Sequence, residues 1–149
     1  MFVCHGNICR SPMAEFIFKH LLDQRGLRDK YTVASSATSD EEIYRGVGNP
    51  IYPQAAAALA HHEIPYSHRR AVRLCREDYD KYELFIGMDE ANVRNMRLIF
   101  GSDRDSKIRK LKDYTVGGNV SDPWYSGDFE TAFSDIFAGC EALLRSLEK

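Results

Sequence analysis

The stretch Val3-Cys4-His5-Gly6-Asn7-Ile8-Cys9-Arg10-Ser11-Pro12 decides how this chain is read. Met1-Phe2-Val3 before it is a short apolar lead-in with the character of a strand end, and Ser11-Pro12 opens a helix with Pro at its first position. Gly6-Asn7 forces a turn between the two. Moving outward, the helix is expected to run to about Gly26, with Met13, Phe16, Ile17 and Leu21 spaced to face a core. Tyr31 to Ala37 predicts a second strand, Thr38 to Pro53 a polar loop, and Gln54 to His62 a helix. Glu83 to Met88 (ELFIGM) predicts a buried strand, and Asp89 caps a helix through Arg97. Lys107 to Leu111 is a last strand, Asn119 to Ser126 a loop, and Gly127-Asp128 leads into a long amphipathic helix. Strands alternating with helices imply a parallel sheet covered on both faces. Such sheets bind ligands at the carboxyl ends of their strands, and the turn after Val3 is one of those ends.

The bulk properties limit what can bind there. The chain has 149 residues, enough for one domain with a single core. Hydrophobic content of 44% and charged content of 28% are ordinary for a globular chain. With net charge −2 and pI about 6.2, no global basic field draws in nucleic acid or anionic lipid, so any anion must be held locally. No run approaches the roughly 20 apolar residues of a membrane span, and Met1 to Arg10 lacks the features of a signal peptide. Cys4, Cys9, Cys75 and Cys140 are too sparse for a disulfide scaffold, so a reducing cytoplasmic setting is expected. Only three residues precede Cys4, short of the usual strand of about five. If the sequence is complete, lower stability than in longer-leadered relatives is expected, and native upstream residues should raise the melting temperature.

A Cys followed six residues later by Arg is a weak signal alone, arising by chance in about one such composition in three. Its setting between strand and helix gives each position a physical task. A loop wound around an anion turns successive N–H groups inward, and the next helix adds its positive end. Gly6 and Asn7 tolerate the left-handed dihedrals expected of such a winding. Arg10 offers a planar fork for two phosphate oxygens. Cys4 lies at the centre, where those donors favour a thiolate, and Ser11 can hydrogen-bond the sulfur as it leaves. A zinc site on Cys4, His5 and Cys9 has poor spacing and no second ligand pair.

Cys4 to Glu15 (CHGNICRSPMAE) resembles the signature of the low-molecular-weight protein tyrosine phosphatases. Ser35-Ser36-Ala37-Thr38-Ser39, Gly48-Asn49-Pro50, His68-Arg69, Met88-Asp89-Glu90-Ala91-Asn92 and Asp122-Pro123-Trp124 have counterparts there in the same order, so the likeness extends over nearly the whole chain. The resemblance implies a single α/β phosphatase domain over residues 1–149, three-layered, with a four-stranded parallel sheet of order 2-1-3-4 and the phosphate loop after the first strand. It implies hydrolysis of phosphotyrosine in proteins, peptides and small aryl phosphates through a phosphocysteine on Cys4, with no metal, no cofactor and no nucleic-acid or membrane partner. A monomer is expected. The phosphate would be held by His5, Gly6, Asn7, Ile8, Cys9, Arg10 and Ser11, and a hydrogen-bond network of Asn7, Ser35 and His68 would support the loop.

Expulsion of a tyrosyl oxygen needs a proton donor, worth typically 10²–10⁴-fold. Asp122, stiffened by Pro123 and flanked by Trp124 and Tyr125, is the candidate, and the family's acid is the Asp of a D-P-aromatic motif. Because this acid must start protonated and Cys4 ionised, activity is expected to peak on the acid side of neutrality. Trp124 and Tyr125 are expected to wall an aryl slot, with Tyr44 and His5 as further candidates. Relatives often have two tyrosines after the Asp-Pro; here the first is Trp124. Cys9 is a candidate to capture an oxidised Cys4 as a disulfide, a small buried residue being the equal alternative. Arg69-Arg70, Arg73 and Arg76 read as a solvated face that could also meet acidic substrates.

Three other functions compete. Thioredoxin-linked arsenate reductases of this fold need a further cysteine pair, and Gly87 to Asn92 contains none. Related protein arginine phosphatases carry Thr where this chain has Ile8, and an apolar residue suits an aryl ester better. A non-catalytic phosphate-binding module is disfavoured by the presence of Cys4, Arg10 and Asp122 together.

Overall fold

The computed structural model describes residues 1–149. Six strands are formed: β1 (Phe2–Cys4), β2 (Ser35–Ala37), β3 (Ile43–Tyr44), β4 (Val47–Gly48), β5 (Phe85–Gly87) and β6 (Ile108–Lys110). The helices are α1 (Arg10–Gln24), α2 (Pro53–His61), α3 (Glu90–Phe100), α4 (Pro123–Ser126) and α5 (Phe129–Leu147). β2, β1, β5 and β6 form a parallel sheet in that spatial order, which is the expected 2-1-3-4 once the separate β3–β4 pair is set aside. The pleat sorts the core. Phe2, Cys4 and Ile86 face one side with residues of α1, α2 and α5, whereas Val3, Phe85 and Ile108 face the other with Val93, Met96 and Phe100 of α3. Gly139 permits the approach of α5 to the 3-10 turn at Leu111–Tyr114, since a Cβ there would lie 2.5 Å from Leu111 Cγ.

Several expected boundaries are corrected. The second strand is only Ser35–Ala37, because β1 pairs Phe2–Cys4 with those three residues alone. Tyr31 and Val33 instead pack their side chains on the core as irregular chain. The expected loop from Thr38 to Pro53 contains the antiparallel hairpin β3–β4. Its turn, Arg45-Gly46, has φ of 51° and 78°, both left-handed as a two-residue hairpin turn requires. An Arg at the first turn position lacks the Asn or Asp signal that marks such turns. α1 begins at Arg10, which places Pro12 at its third residue, still where no intrahelical N–H is needed. α3 continues past Arg97 to Phe100 and stops at Gly101, whose φ is 82°. Asn119–Ser126 includes the helical turn α4, with Asp122 as its cap.

Candidate active site

The loop between β1 and α1 turns its carbonyls outward into bonds. Cys4 O accepts from Thr38 N–H (3.0 Å), His5 O from Ser39 N–H (3.1 Å), Ile8 O from Tyr52 N–H (2.8 Å) and Cys9 O from Met13 N–H (3.1 Å). The Asn7 carbonyl accepts from the Arg69 guanidinium at 2.8 Å. Across a planar trans peptide, C=O and the next N–H point in opposite directions. The donors that follow these carbonyls therefore converge on the concave side. The N–H groups of Gly6, Ile8 and Cys9 find no acceptor within the protein, and that of Asn7 donates to Cys4 Sγ at 3.3 Å. Asn7 alone takes the left-handed bend, with φ of 60°. Gly6 was expected to share it but does not; its constraint is space, a Cβ there lying 3.1 Å from Glu42 Cγ.

Cys4 is buried at the loop's centre, with Ser11 Oγ 3.0 Å from its sulfur. Arg10, only 3% exposed, donates through one nitrogen to Asp89 (2.7 Å) and the Val120 carbonyl (2.9 Å), and reaches Asp122 at 3.5 Å with the other. Burial works against its charge, but Cys4, Asp89 and Asp122 outweigh it and raise the guanidinium's hold on its proton. Asp122 caps α4 by accepting Trp124 N–H at 3.0 Å. Loop and cap face each other across an open cleft of about 120 Å³ lined by residues 4–10, Glu41, Glu42, Asp122, Trp124 and Tyr125. The cleft thus combines a buried sulfur, convergent amide donors, a buried cation and a carboxyl.

Residues 1–149 match the family described as "Low molecular weight phosphotyrosine protein phosphatase". The chain is 36% identical over 152 residues to the low-molecular-weight protein-tyrosine-phosphatase YfkJ of Bacillus subtilis, covering 100% of this chain and 95% of that one. It is 34% identical to the human low-molecular-weight phosphotyrosine protein phosphatase, covering 97% and 92%. The chain belongs to the low-molecular-weight protein tyrosine phosphatases. The crystal structure of YfkJ superposes with a TM-score of 0.92 over 99% of this chain and 92% of that one, at 35% identity. That of DARP, drosophila arginine phosphatase, gives 0.87 at 27% identity, over 99% and 96%.

In this phosphatase the network beneath the loop departs from expectation. Asn7 Nδ2 donates to Ser11 Oγ (2.7 Å) and Ser35 Oγ (3.0 Å), and Ser35 Oγ donates to Glu15 at 2.6 Å. Because Ser11 Oγ accepts from Asn7, its own hydrogen is free to point at Cys4 Sγ, the orientation that suits a thiolate. His68, however, is exposed and makes no hydrogen bond to the network. Arg69 takes its place, donating to both the carbonyl and Oδ1 of Asn7, while Val72 N–H donates to the same Oδ1 at 3.1 Å. Arg69 is therefore half-buried support for the loop, not part of a solvated face. Its position beside Arg70 concealed this, and no local pattern pointed to Glu15 or Asp89 as partners. Arg69→Ala is expected to lower kcat about tenfold, since the left-handed Asn7 costs about 1–2 kcal/mol and loses two of its restraints. His68→Ala should stay within about twofold of the parent, and steady-state rates on p-nitrophenyl phosphate separate the two.

The slot walls also need correction. Trp124 and Tyr125 line the cleft as expected, Trp124 resting edge-on against Tyr52 with centroids 4.9 Å apart. Tyr44 does not line it; the residue stands exposed on the hairpin beneath the Arg45 guanidinium. Glu41 and Glu42 occupy that wall, Glu41 pairing with His5 at 3.0 Å and Glu42 accepting from Asn49 at 2.8 Å.

All four cysteines are free thiols, and Cys9 lies in the same cleft as Cys4. Burial first, then the charges of Cys4 and Asp122, push the Cys9 thiol up to about 12, and burial pushes Cys140 up as well. Above about pH 9 the unfolded chain sheds these protons while the folded one keeps them, so stability falls as pH rises toward 12. Each thiol contributes a slope of about 1.4 kcal/mol per pH unit. Urea unfolding between pH 8 and about pH 11 should show this decline, and it should be shallower in Cys140→Ala.

Proposed function

We propose that this phosphatase hydrolyses phosphotyrosine in proteins through a phosphocysteine on Cys4, within one domain spanning residues 1–149. The observation that carries the reading is a buried sulfur at the focus of inward N–H groups, with Arg10 and Asp122 at its rim. The thiolate attacks phosphorus as the P–O bond to the tyrosyl oxygen breaks, and Asp122 gives that oxygen its proton. Water then attacks the phosphocysteine and yields its proton to the Asp122 carboxylate. The P–S bond breaks, and the Ser11 hydroxyl supports the departing thiolate. The loop amides of His5 to Arg10 and the Arg10 fork hold the phosphoryl oxygens throughout. Trp124 and Tyr125 provide flat surfaces for the aryl ring. A reducing, cytoplasmic setting is supported by the four free thiols.

The likeness to DARP keeps phosphoarginine as the second reading, but Ile8 gives the cleft an apolar contact that favours an aryl ester. The deciding experiment compares kcat/KM on matched phosphotyrosine and phosphoarginine peptides. A preference of at least about tenfold for tyrosine is expected, and the reverse order would overturn the assignment. The carboxylates of Glu41 and Glu42 add a preference among tyrosine peptides. Sequences with Arg or Lys beside the phosphotyrosine should react about threefold to fivefold faster than those with Glu, and Glu41→Gln/Glu42→Gln should level the two.

A further inference from the structure

We infer that His61, His62 and Glu130 form a binding site for a divalent transition-metal ion of the zinc or nickel type, at the surface where the end of α2 meets the start of α5. Each side chain offers one ligand atom, and these atoms lie within 4.8 Å of one another. Two of the three ligands are already drawn together, with His62 Nε2 2.7 Å from Glu130 Oε2. The His62 ring is held in place by stacking on Phe133, with centroids 3.9 Å apart and an interplanar angle of 9°. His61 stands edge-on to it at 5.1 Å. A tetrahedral ion with bonds of about 2.0–2.1 Å needs its ligand atoms about 3.3–3.5 Å apart. The His62–Glu130 pair needs only a slight opening, and the exposed His61 reaches the ion by side-chain rotation.

The donor set decides the class of ion. Two imidazoles and one carboxylate suit zinc, nickel or copper, whereas magnesium and calcium want oxygen ligands throughout. His61 ends α2 and His62 caps it, so the cation would also sit at the negative end of that helix. Exposure leaves the remaining coordination positions to water. A bound ion would reinforce the seam between α2 and α5 that His62 already makes with Phe133 and Glu130, at the opposite end of α2 from the stacked pair Tyr52 and Phe129. A His–Glu hydrogen bond alone gives His61 no part to play, whereas a chelate needs it. His61→Ala therefore separates the two.

The test uses full-length protein carrying Cys4→Ser and Cys75→Ser, which removes the catalytic thiol and the exposed one as competing ligands. Calorimetric titration with zinc chloride alone should show one ion per chain. His61→Ala and Glu130→Gln should each weaken binding about tenfold or more. At saturating zinc the melting temperature should rise by about 5 °C in the parent and not in His61→Ala. No binding at about 1 mM zinc, or binding unmoved by both substitutions, overturns the site.

Discussion

With Cys4 replaced by Ser, hydrolysis of p-nitrophenyl phosphate is expected to fall by about 10⁴-fold or more, while the fold and its affinity for oxyanions persist. The sulfur sits at the end of β1 with Asn7 N–H and Ser11 Oγ directed at it. A serine hydroxyl fits the same space but ionises far less readily and attacks phosphorus poorly. The outward bonds that orient the loop run through the carbonyls of Cys4, His5, Asn7, Ile8 and Cys9, so none depends on the sulfur. Inorganic phosphate should therefore still raise the melting temperature of Cys4→Ser. Loss of rate with retained phosphate binding assigns Cys4 to the chemistry. Retained rate would place the nucleophile elsewhere.

Asp122→Asn should cost about 10²–10⁴-fold in kcat on phenyl phosphate, and much less on esters of acidic phenols. The side chain caps α4 through Trp124 N–H, a bond that Asn also makes, so the cleft wall should survive the change. What Asn cannot do is supply a proton to a departing phenolate. A phenolate that leaves readily needs little such help, so the defect should grow with the pKa of the leaving phenol. Rates on a series of aryl phosphates measure that slope. If the defect is uniform across the series, Asp122 acts on structure and the proton comes from another group. Its contact at 3.5 Å places it beside Arg10, which Asp89 and the Val120 carbonyl hold independently of the cap.

The parts of this molecule legible in the sequence are those encoded locally. The segment from Val3 to Pro12 announces its strand, loop and helix because Gly, Asn, Arg and Pro each restrict the backbone or charge in a recognisable way. The buried strand within ELFIGM, formed over Phe85–Gly87 and so shorter than the expected Glu83–Met88, and the capping Asp89 are likewise local. The limits of the short strands are set by pairing partners distant in sequence. Ser35–Ala37 ends where its ladder with β1 ends, a pairing property that residues 31–37 do not carry themselves. The hairpin turn at Arg45-Gly46 uses a left-handed Arg that only the paired strands impose. Within the site, the residues adjacent in sequence were readable and the distant ones were not. Arg69 is 62 positions from the Asn7 it restrains, and Asp89 is 79 positions from Arg10. Neither separation leaves a periodic signal. Resemblance places His68 in a network that Arg69 completes in the structure.

The central claim is that phosphate passes through the sulfur of Cys4. Rapid acid quench during turnover of p-nitrophenyl phosphate, followed by peptide mass spectrometry, tests it directly. The peptide containing Cys4 should carry one phosphoryl group at a level matching a burst of p-nitrophenol, and phosphate should be absent from it in Cys4→Ser. A burst with the phosphoryl group on another residue, or full turnover with no phosphorylated enzyme and no burst under conditions where the second step is slow, would contradict it.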